Sequence, residues 1–250
     1  MRMRPAHSAT SHCTRDRLDS PRSWKTWIPV TVCLAIGLPN YLPAAAGFAH
    51  NDAAPVDSLT TLSLESKPGR GVTWVDDSVG NGFCSDMREF GLGLGIGFAA
   101  KVFGSKGPHD LVLTRFYYGW MLGDVVGKDR WYRGNWEVVQ EIFGGGQYHP
   151  RSRFVIGETT ILRFNFATGT RWVPFLDAGV GISATDIGPP SLGSVFEFNE
   201  QFGAGFNYFW RNNRSLTLQY RFIHISNAGI SEPNLGVNEN MFYAGVSWFF

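Results

Sequence analysis

Residues 196–210 read FEFNEQFGAGFNYFW and alternate between two kinds of side chain. The even positions are apolar except for Glu200, and the odd positions as far as Asn207 are polar or glycine. Because successive side chains of a β-strand point to opposite faces, this period of two predicts a strand with one apolar and one polar face. The stretch is also longer than the ~9–11 residues with which a tilted strand crosses a bilayer.

Seven further stretches alternate in a similar way, and together they predict eight strands. They cover about residues 89–102, 109–122, 131–143, 153–167, 171–184, 194–210, 214–226 and 239–250. The number is even, and the last strand ends on aromatic residues, Trp248 and Phe250 among them, as strands of outer-membrane barrels do. The sequence therefore predicts an all-β fold, an eight-stranded antiparallel transmembrane outer-membrane β-barrel over residues 88–250.

Such a barrel turns its apolar face to lipid and fills its interior with polar side chains. Five charged or polar residues are expected in this interior: Arg153, Arg163, Asn165, Asp177 and Arg221. A secreted lipocalin-like barrel, which keeps its apolar face inside, is the alternative that the pattern leaves open.

The composition excludes several other classes of protein. The formal net charge of +1 gives no electrostatic basis for binding nucleic acid. No run of about 18 apolar residues occurs, which excludes a polytopic helical membrane protein. The glycines of residues 91–97 follow G-x-G-x-G-x-G rather than the G-x-G-x-x-G of a phosphate-binding loop, and the histidines lack metal-ligand spacing. We therefore expect neither a cofactor nor a metal ion.

The N-terminal residues have the three parts of a secretory signal. A basic segment is followed by an apolar stretch from Trp27 to Leu38 and by a small-residue patch. We expect residues 1–49 to be a signal peptide, with cleavage after Ala46 or Ala49. Residues 50–87, which contain several prolines and glycines, are expected to form an irregular N-terminal leader.

A histidine and a serine stand two residues apart at the end of the seventh predicted strand. Their side chains, those of His224 and Ser226, share the face that Leu218 and Phe222 mark as the lipid side. A polar pair on a surface that contacts hydrocarbon is unfavourable, and function is the usual reason for it. A neutral imidazole beside a hydroxyl is the minimum for an activated oxygen nucleophile.

Two acidic residues also fall on apolar faces by their parity. They are Glu158, next to Ile156, and Glu200, next to Phe198 on the same face. A second acidic site near His224 is one interpretation of this placement, and a strand-end position is the other.

The residues around the histidine and serine follow a recognisable pattern. It comprises His224, Ser226, Asn227, Ala228, Gly229, Pro233, Asn234 and Gly236, with the Asn135-Trp136 pair further upstream. This pattern resembles the signature of the PagL family of lipid A deacylases. The resemblance covers roughly residues 88–250 and is specific over the C-terminal thirty. It implies an eight-stranded outer-membrane barrel that hydrolyses the ester holding a 3-hydroxyacyl chain at the 3-position of lipid A, with a membrane-facing Ser-His-acid arrangement and no metal.

The resemblance also implies roles for individual residues. Ser226 would be the nucleophile and His224 its general base. Asn227 and the backbone N–H groups near Ala228 and Gly229 would donate hydrogen bonds to the negatively charged tetrahedral intermediate.

The third member of the arrangement departs from the family pattern. The position of the family's glutamate falls on Asn238, and Glu239 is the next residue. Counted back from Phe250, Asn238 lies on the outward face with His224, whereas Glu239 lies on the inward face. An asparagine holds an imidazole in the correct tautomer but supplies no charge. We expect Asn238 to complete the arrangement, with Glu239 as the alternative.

Taken with the resemblance, these residues predict a serine esterase of the bacterial outer membrane. Its substrate would be lipid A of the lipopolysaccharide in the outer leaflet, and its product a 3-hydroxy fatty acid. The alternative is a non-catalytic small outer-membrane β-barrel with a structural or adhesive role.

Overall fold

Eight antiparallel strands close into a barrel in the computed structural model, which describes residues 82–250. Each strand pairs with the next along the chain, and the last strand pairs with the first. The strands are β1 (Arg88–Ala99), β2 (Asp110–Met121), β3 (Gly134–His149), β4 (Arg153–Phe166), β5 (Trp172–Thr185), β6 (Phe196–Arg211), β7 (Arg214–Ser226) and β8 (Val237–Phe249). The predicted all-β barrel is confirmed. The predicted signal peptide, residues 1–49, and residues 50–81 of the predicted leader lie outside the described residues.

The bounds of β3 differ most from the prediction. The sequence predicted a strand over residues 131–143, whereas β3 runs from Gly134 to His149. The glycine run, residues 144–146, is part of the strand. A Cβ at Gly145 would collide with the backbone oxygen of Val112 on β2, so the two strands lie too close together there for a side chain. Glycine here allows close approach of two strands rather than a turn.

The outside of the barrel is apolar along its length. On β1 the outward residues alternate with glycine and are well exposed: Phe90, Leu92, Leu94, Ile96 and Phe98. A closed barrel leaves no strand edge unpaired, and an apolar exterior is what contact with hydrocarbon requires. No helix within residues 82–250 is long and apolar enough to cross a membrane.

The inside of the barrel is polar and charged. Arg163 Nη1 lies 3.0 Å from Glu89 Oε2, and Arg221 Nη1 lies 2.6 Å from Glu141 Oε1. Asp177 joins the two arginines, at 3.4 Å from Arg163 and 3.3 Å from Arg221. Buried charges require such pairing. A lipocalin-like barrel with an apolar interior is therefore excluded, and side chains fill the lumen.

Four of the five residues expected in the interior lie there, and Arg153 is the exception. Arg153 has the inward parity but stands at the rim, where its Nη1 is 3.4 Å from Asp186 Oδ2. It is the first residue of β4, so its side chain has already left the enclosed part of the barrel.

The segment just before β1 closes the end of the barrel at which the chain enters and leaves. The ring of Phe83 stacks on Phe249, with the centroids 5.0 Å apart. Asn135 accepts a hydrogen bond from the Phe83 N–H and donates one to its carbonyl oxygen, both at 2.7 Å. Asn135 thus binds this segment as a neighbouring strand would.

The opposite end of the barrel carries most of the longer connections. Residues 100–109, 186–195 and 227–236 join strands there. At the end with the termini, residues 212–213 form a short turn and residues 167–171 a short connection, whereas residues 122–133 form a long one. Outer-membrane barrels have short periplasmic turns and longer outer loops. Three of the four longest connections are at the end opposite the termini, and this criterion favours the outer side of the membrane for that end and for the last residues of β7.

Candidate active site at the outer end of β7 and β8

His224 and Ser226 lie on the outward face at the end of β7. Their face continues downward through the exposed residues Tyr220 and Leu218, and the two predicted site residues are themselves half-buried. The intervening Ile225 is fully buried in the interior. The histidine and the serine therefore face the membrane rather than the lumen.

Asn238 holds the imidazole from the neighbouring strand. It is the register partner of His224 on β8, and its Oδ1 is hydrogen-bonded to His224 Nδ1. The other end of the amide, Nδ2, donates to the backbone oxygen of Val102. Because a carbonyl oxygen only accepts, Nδ1 carries the ring proton. In the neutral imidazole, Nε2 then has the lone pair that a general base requires.

Glu239 lies on the other side of the barrel wall. Its side chain points inward and is fully buried. Neither carboxylate oxygen has a hydrogen-bond partner among the described residues. The alternation of a strand keeps this carboxylate away from His224, so the structure brings Asn238 to the imidazole and does not bring Glu239 there.

Ser226 is next to the imidazole along the strand but is not bonded to it. Within residues 82–250, no hydrogen bond connects Ser226 Oγ to His224. Positions two apart on a strand are ~6.6 Å apart, a separation that the length of an imidazole largely spans. Hydrogen bonds of catalytic groups are often long without substrate and tighten when it binds.

The connection after Ser226 is ordered by Asn227. Asn227 Oδ1 accepts the N–H of Gly229 at 3.0 Å, and Nδ2 donates to Ser231 O at 2.9 Å. The N–H of Gly229, predicted as an oxyanion donor, is thus engaged inside the loop. Asn227 itself is fully buried, and the N–H of Ala228 makes no hydrogen bond in the described part of the chain.

Gly236 provides room for the imidazole from the other end of the same connection. Its φ is +74°, in the left-handed region. A Cβ at this position would lie 2.8 Å from His224 Cε1. Both the backbone conformation and the close contact therefore favour glycine.

The connection between β1 and β2, residues 100–109, packs beside the site. The backbone N–H of Ala100 donates to the backbone oxygen of Asn238 at 2.8 Å. The ring of Phe103 packs edge-on against Phe222, with centroids 6.1 Å apart, and is largely exposed. Two exposed lysines, Lys101 and Lys106, lie on either side of this aromatic tip. The site is thus bordered by an apolar tip, in a connection that also carries two lysines.

Sequence patterns gave no signal for the contacts of this connection, because its partners on β7 and β8 are far away along the chain.

A second histidine with polar partners, His109, was also not predicted from the sequence. His109 Nε2 is 2.8 Å from Ser191 Oγ, and Nδ1 is 2.6 Å from Gln147 Oε1. All three side chains are buried, so this group joins two outer connections and is closed to a substrate.

The two outward acids lie at different distances from the site. Glu200 on β6 is the direct register partner of His224. Glu158 on β4 is separated from β7 by two further strands. Both side chains are on the outward face, as their parity predicted.

Comparison with known proteins gives one family. Residues 115–247 match the family model described as Lipid A 3-O-deacylase (PagL). The chain is similar to the lipid A deacylase PagL of Pseudomonas aeruginosa, at 32% identity over 114 residues, which cover 44% of this chain and 62% of the relative. It is also similar to the lipid A deacylase PagL of Bordetella bronchiseptica, at 36% identity over 114 residues, 42% of this chain and 61% of the relative. The matched region thus spans about three fifths of the length of these curated relatives.

The likenesses to solved structures are more distant. The crystal structure of the outer membrane enzyme PagL has a TM-score of 0.48 at 20% identity and covers 62% of this chain and 97% of its own. That of Neisserial surface protein A has a TM-score of 0.44 at 14% identity, with coverages of 66% and 96%.

Proposed function

The chain belongs to the PagL family of lipid A 3-O-deacylases, and on that premise we propose that it hydrolyses the ester that holds a 3-hydroxyacyl chain at the 3-position of lipid A. The observation that carries the proposal is the oriented imidazole of His224, which lies beside Ser226 on the membrane-facing surface. Lipid A in the outer leaflet reaches this surface sideways, without leaving the membrane.

The reaction begins with attack of Ser226 Oγ on the ester carbonyl. His224 Nε2 takes the hydroxyl proton as the C–O bond forms. The N–H of Ala228 is the donor proposed for the negative oxygen of the tetrahedral intermediate, because the side chain of Asn227 is fully buried. Loss of one such donor typically lowers the rate by ~10²–10³-fold.

The intermediate then collapses and releases the sugar. The bond to the 3-oxygen breaks, and His224 returns its proton to that oxygen, which leaves as a hydroxyl. A water molecule attacks the acyl-serine with His224 again as the base. The products are the 3-hydroxy fatty acid and free Ser226. Asn238 keeps the proton on Nδ1 throughout, so that Nε2 always faces the reaction.

A shallow groove on the outside of β6 to β8 provides a place for the acyl chain. It is lined by Ala204, Phe206, Leu218, Tyr220 and Phe242. Leu218 and Tyr220 lie on the same face of β7 as His224 and lead away from the outer end. An acyl chain with its ester at Ser226 would follow this groove toward the middle of the bilayer.

The test is the Ser226→Ala variant, with lipid A analysed by mass spectrometry in an expressing strain. We expect wild type to remove one 3-hydroxyacyl chain and the variant to remove none. Ser215→Ala is the matched control, since Ser215 is on the same strand but points into the barrel, and it should behave as wild type. If wild type leaves lipid A fully acylated, the enzymatic proposal is wrong and a non-catalytic barrel remains.

A further inference from the structure

We propose that Glu200 is a positioning residue for His224: its carboxylate supplies, from β6, the negative charge that the amide of Asn238 cannot supply from β8. The inference rests on the proposed hydrolysis and deepens it. It concerns the moment at which His224 carries a proton and becomes positively charged.

The register of the barrel places the imidazole between these two residues. His224 pairs with Glu200 on one side and with Asn238 on the other. Directly opposite residues on antiparallel strands have Cβ atoms ~4.5–5.5 Å apart. All three side chains are on the outward face, so a glutamate side chain in this position reaches the imidazole without rearrangement of the backbone.

Two carboxylates that approach β7 are on the inner side of the barrel wall. Glu239 and Glu141 are fully buried in the interior, and Glu141 is already paired with Arg221 at 2.6 Å. Glu200 is exposed, and in the described part of the chain its carboxylate forms no ion pair or hydrogen bond. It is therefore available to a charge that appears only during the reaction.

The surroundings of Glu200 make a purely structural role unfavourable. Its neighbours on the same face of β6 are Phe198 and Phe202, and its partner on β5 is Val180. An ionisable group among lipid-facing apolar side chains is unfavourable and usually has a function. The one polar group directly across from it on a neighbouring strand is His224.

The absence of an ion pair in the resting structure agrees with this role. A general base acts from its neutral form, in which Nδ1 donates its proton to Asn238 and Nε2 is free to accept one. A carboxylate beside it stabilises the imidazolium that forms in the transition state. An interaction that is stronger in the transition state than in the ground state raises kcat and leaves KM unchanged.

The experiment compares Glu200→Gln with Glu158→Gln in purified protein that acts on lipid A in detergent micelles. Glutamine keeps the shape of the side chain and removes only its charge. We expect Glu200→Gln to lower kcat on the order of 10²-fold, in the range of other electrostatic contributions to catalysis, with KM within twofold. Glu158→Gln removes an outward acid three strands from His224 and should change neither constant. Glu200→Asp, which keeps the charge, should retain most of the lost activity.

A second substitution tests the reason for the effect. In Asn238→Glu the carboxylate comes from β8, so adding Glu200→Gln should lower kcat less than threefold. The proposal is overturned if Glu200→Gln matches Glu158→Gln, if it changes only KM, or if Asn238→Glu leaves its effect undiminished. In each case Ser226→Ala remains inactive, so the proposed function stands. If Ser226→Ala is as active as wild type, the proposed function itself fails.

Discussion

The hydrogen bond between Asn238 and His224 leads to a prediction that can be given a magnitude. Asn238→Ala removes the acceptor for the Nδ1 proton and leaves the imidazole free to turn. Hydrogen bonds to groups that carry charge contribute ~1.5–3 kcal/mol, and the imidazole is charged in the transition state. At 1.36 kcal/mol for each factor of ten, we expect kcat to fall roughly 10- to 100-fold.

We expect the KM of the Asn238→Ala variant to stay at the wild-type value. Asn238 is 1% exposed and is bonded to His224 on one side and to the Val102 carbonyl on the other. It therefore makes no contact with a bound lipid. The assay measures initial rates of 3-hydroxy fatty acid release by mass spectrometry over a range of lipid A concentrations, which separates kcat from KM.

The matched control is Asn240→Ala. Asn240 is on the same strand and the same face, but its Oδ1 accepts a hydrogen bond from the Tyr220 hydroxyl at 2.7 Å. Both of its constants should stay within about twofold of wild type. An Asn238→Ala variant with the kcat of this control would refute the orienting role. A large loss in Glu239→Gln would contradict the geometry, because that carboxylate lies inside the barrel.

Three further outcomes follow from other contacts. Replacing both lysines of the 100–109 connection by alanine should raise KM about 30-fold for lipid A that carries phosphates and leave kcat unchanged, since each basic residue near an anionic surface contributes ~1 kcal/mol. A dephosphorylated lipid should show a smaller effect in the same assay. Gly236→Ala should lower kcat strongly in a barrel that still folds, because the new Cβ would lie 2.8 Å from His224 Cε1. Unchanged activity would show that the imidazole ring has room to move. Asn135→Ala should lower the free energy of unfolding in micelles by about 1–3 kcal/mol, because the buried N–H of Phe83 loses its acceptor. An unchanged unfolding curve would mean that the segment before β1 contributes nothing to stability.

The architecture and the faces of the strands could be predicted from the sequence because both depend on a period of two. Residues 196–208 show the principle: their apolar side chains are outside, and Asn199, Asn207 and their neighbours of the same parity are inside. The same count along β8 placed Asn238 outward and Glu239 inward. Side-chain parity is local information, so no knowledge of the tertiary structure was required.

Contacts across connections could not be predicted in this way. The donation from Asn238 Nδ2 to Val102 joins positions 136 residues apart, and no periodic pattern relates them. The engagement of the Gly229 N–H by Asn227 depends on the left-handed backbone of Ala228, at φ +54°, and of Gly229, at φ +80°. The end of β3 was misplaced because glycine is common both in turns and where two strands lie very close together.

The contacts that stabilise the barrel and the candidate catalytic side chains lie on opposite sides of its wall, which affects how such an activity can be gained or lost. Folding stability depends on the ladder of backbone hydrogen bonds and on the paired charges of the interior, whereas outward side chains need only dissolve in hydrocarbon. Exchange of His224 or Ser226 for an apolar residue would leave every interior contact in place. Within this architecture, a reactive protein and an inert one are therefore separated by very few substitutions, and the step between them carries little risk of misfolding.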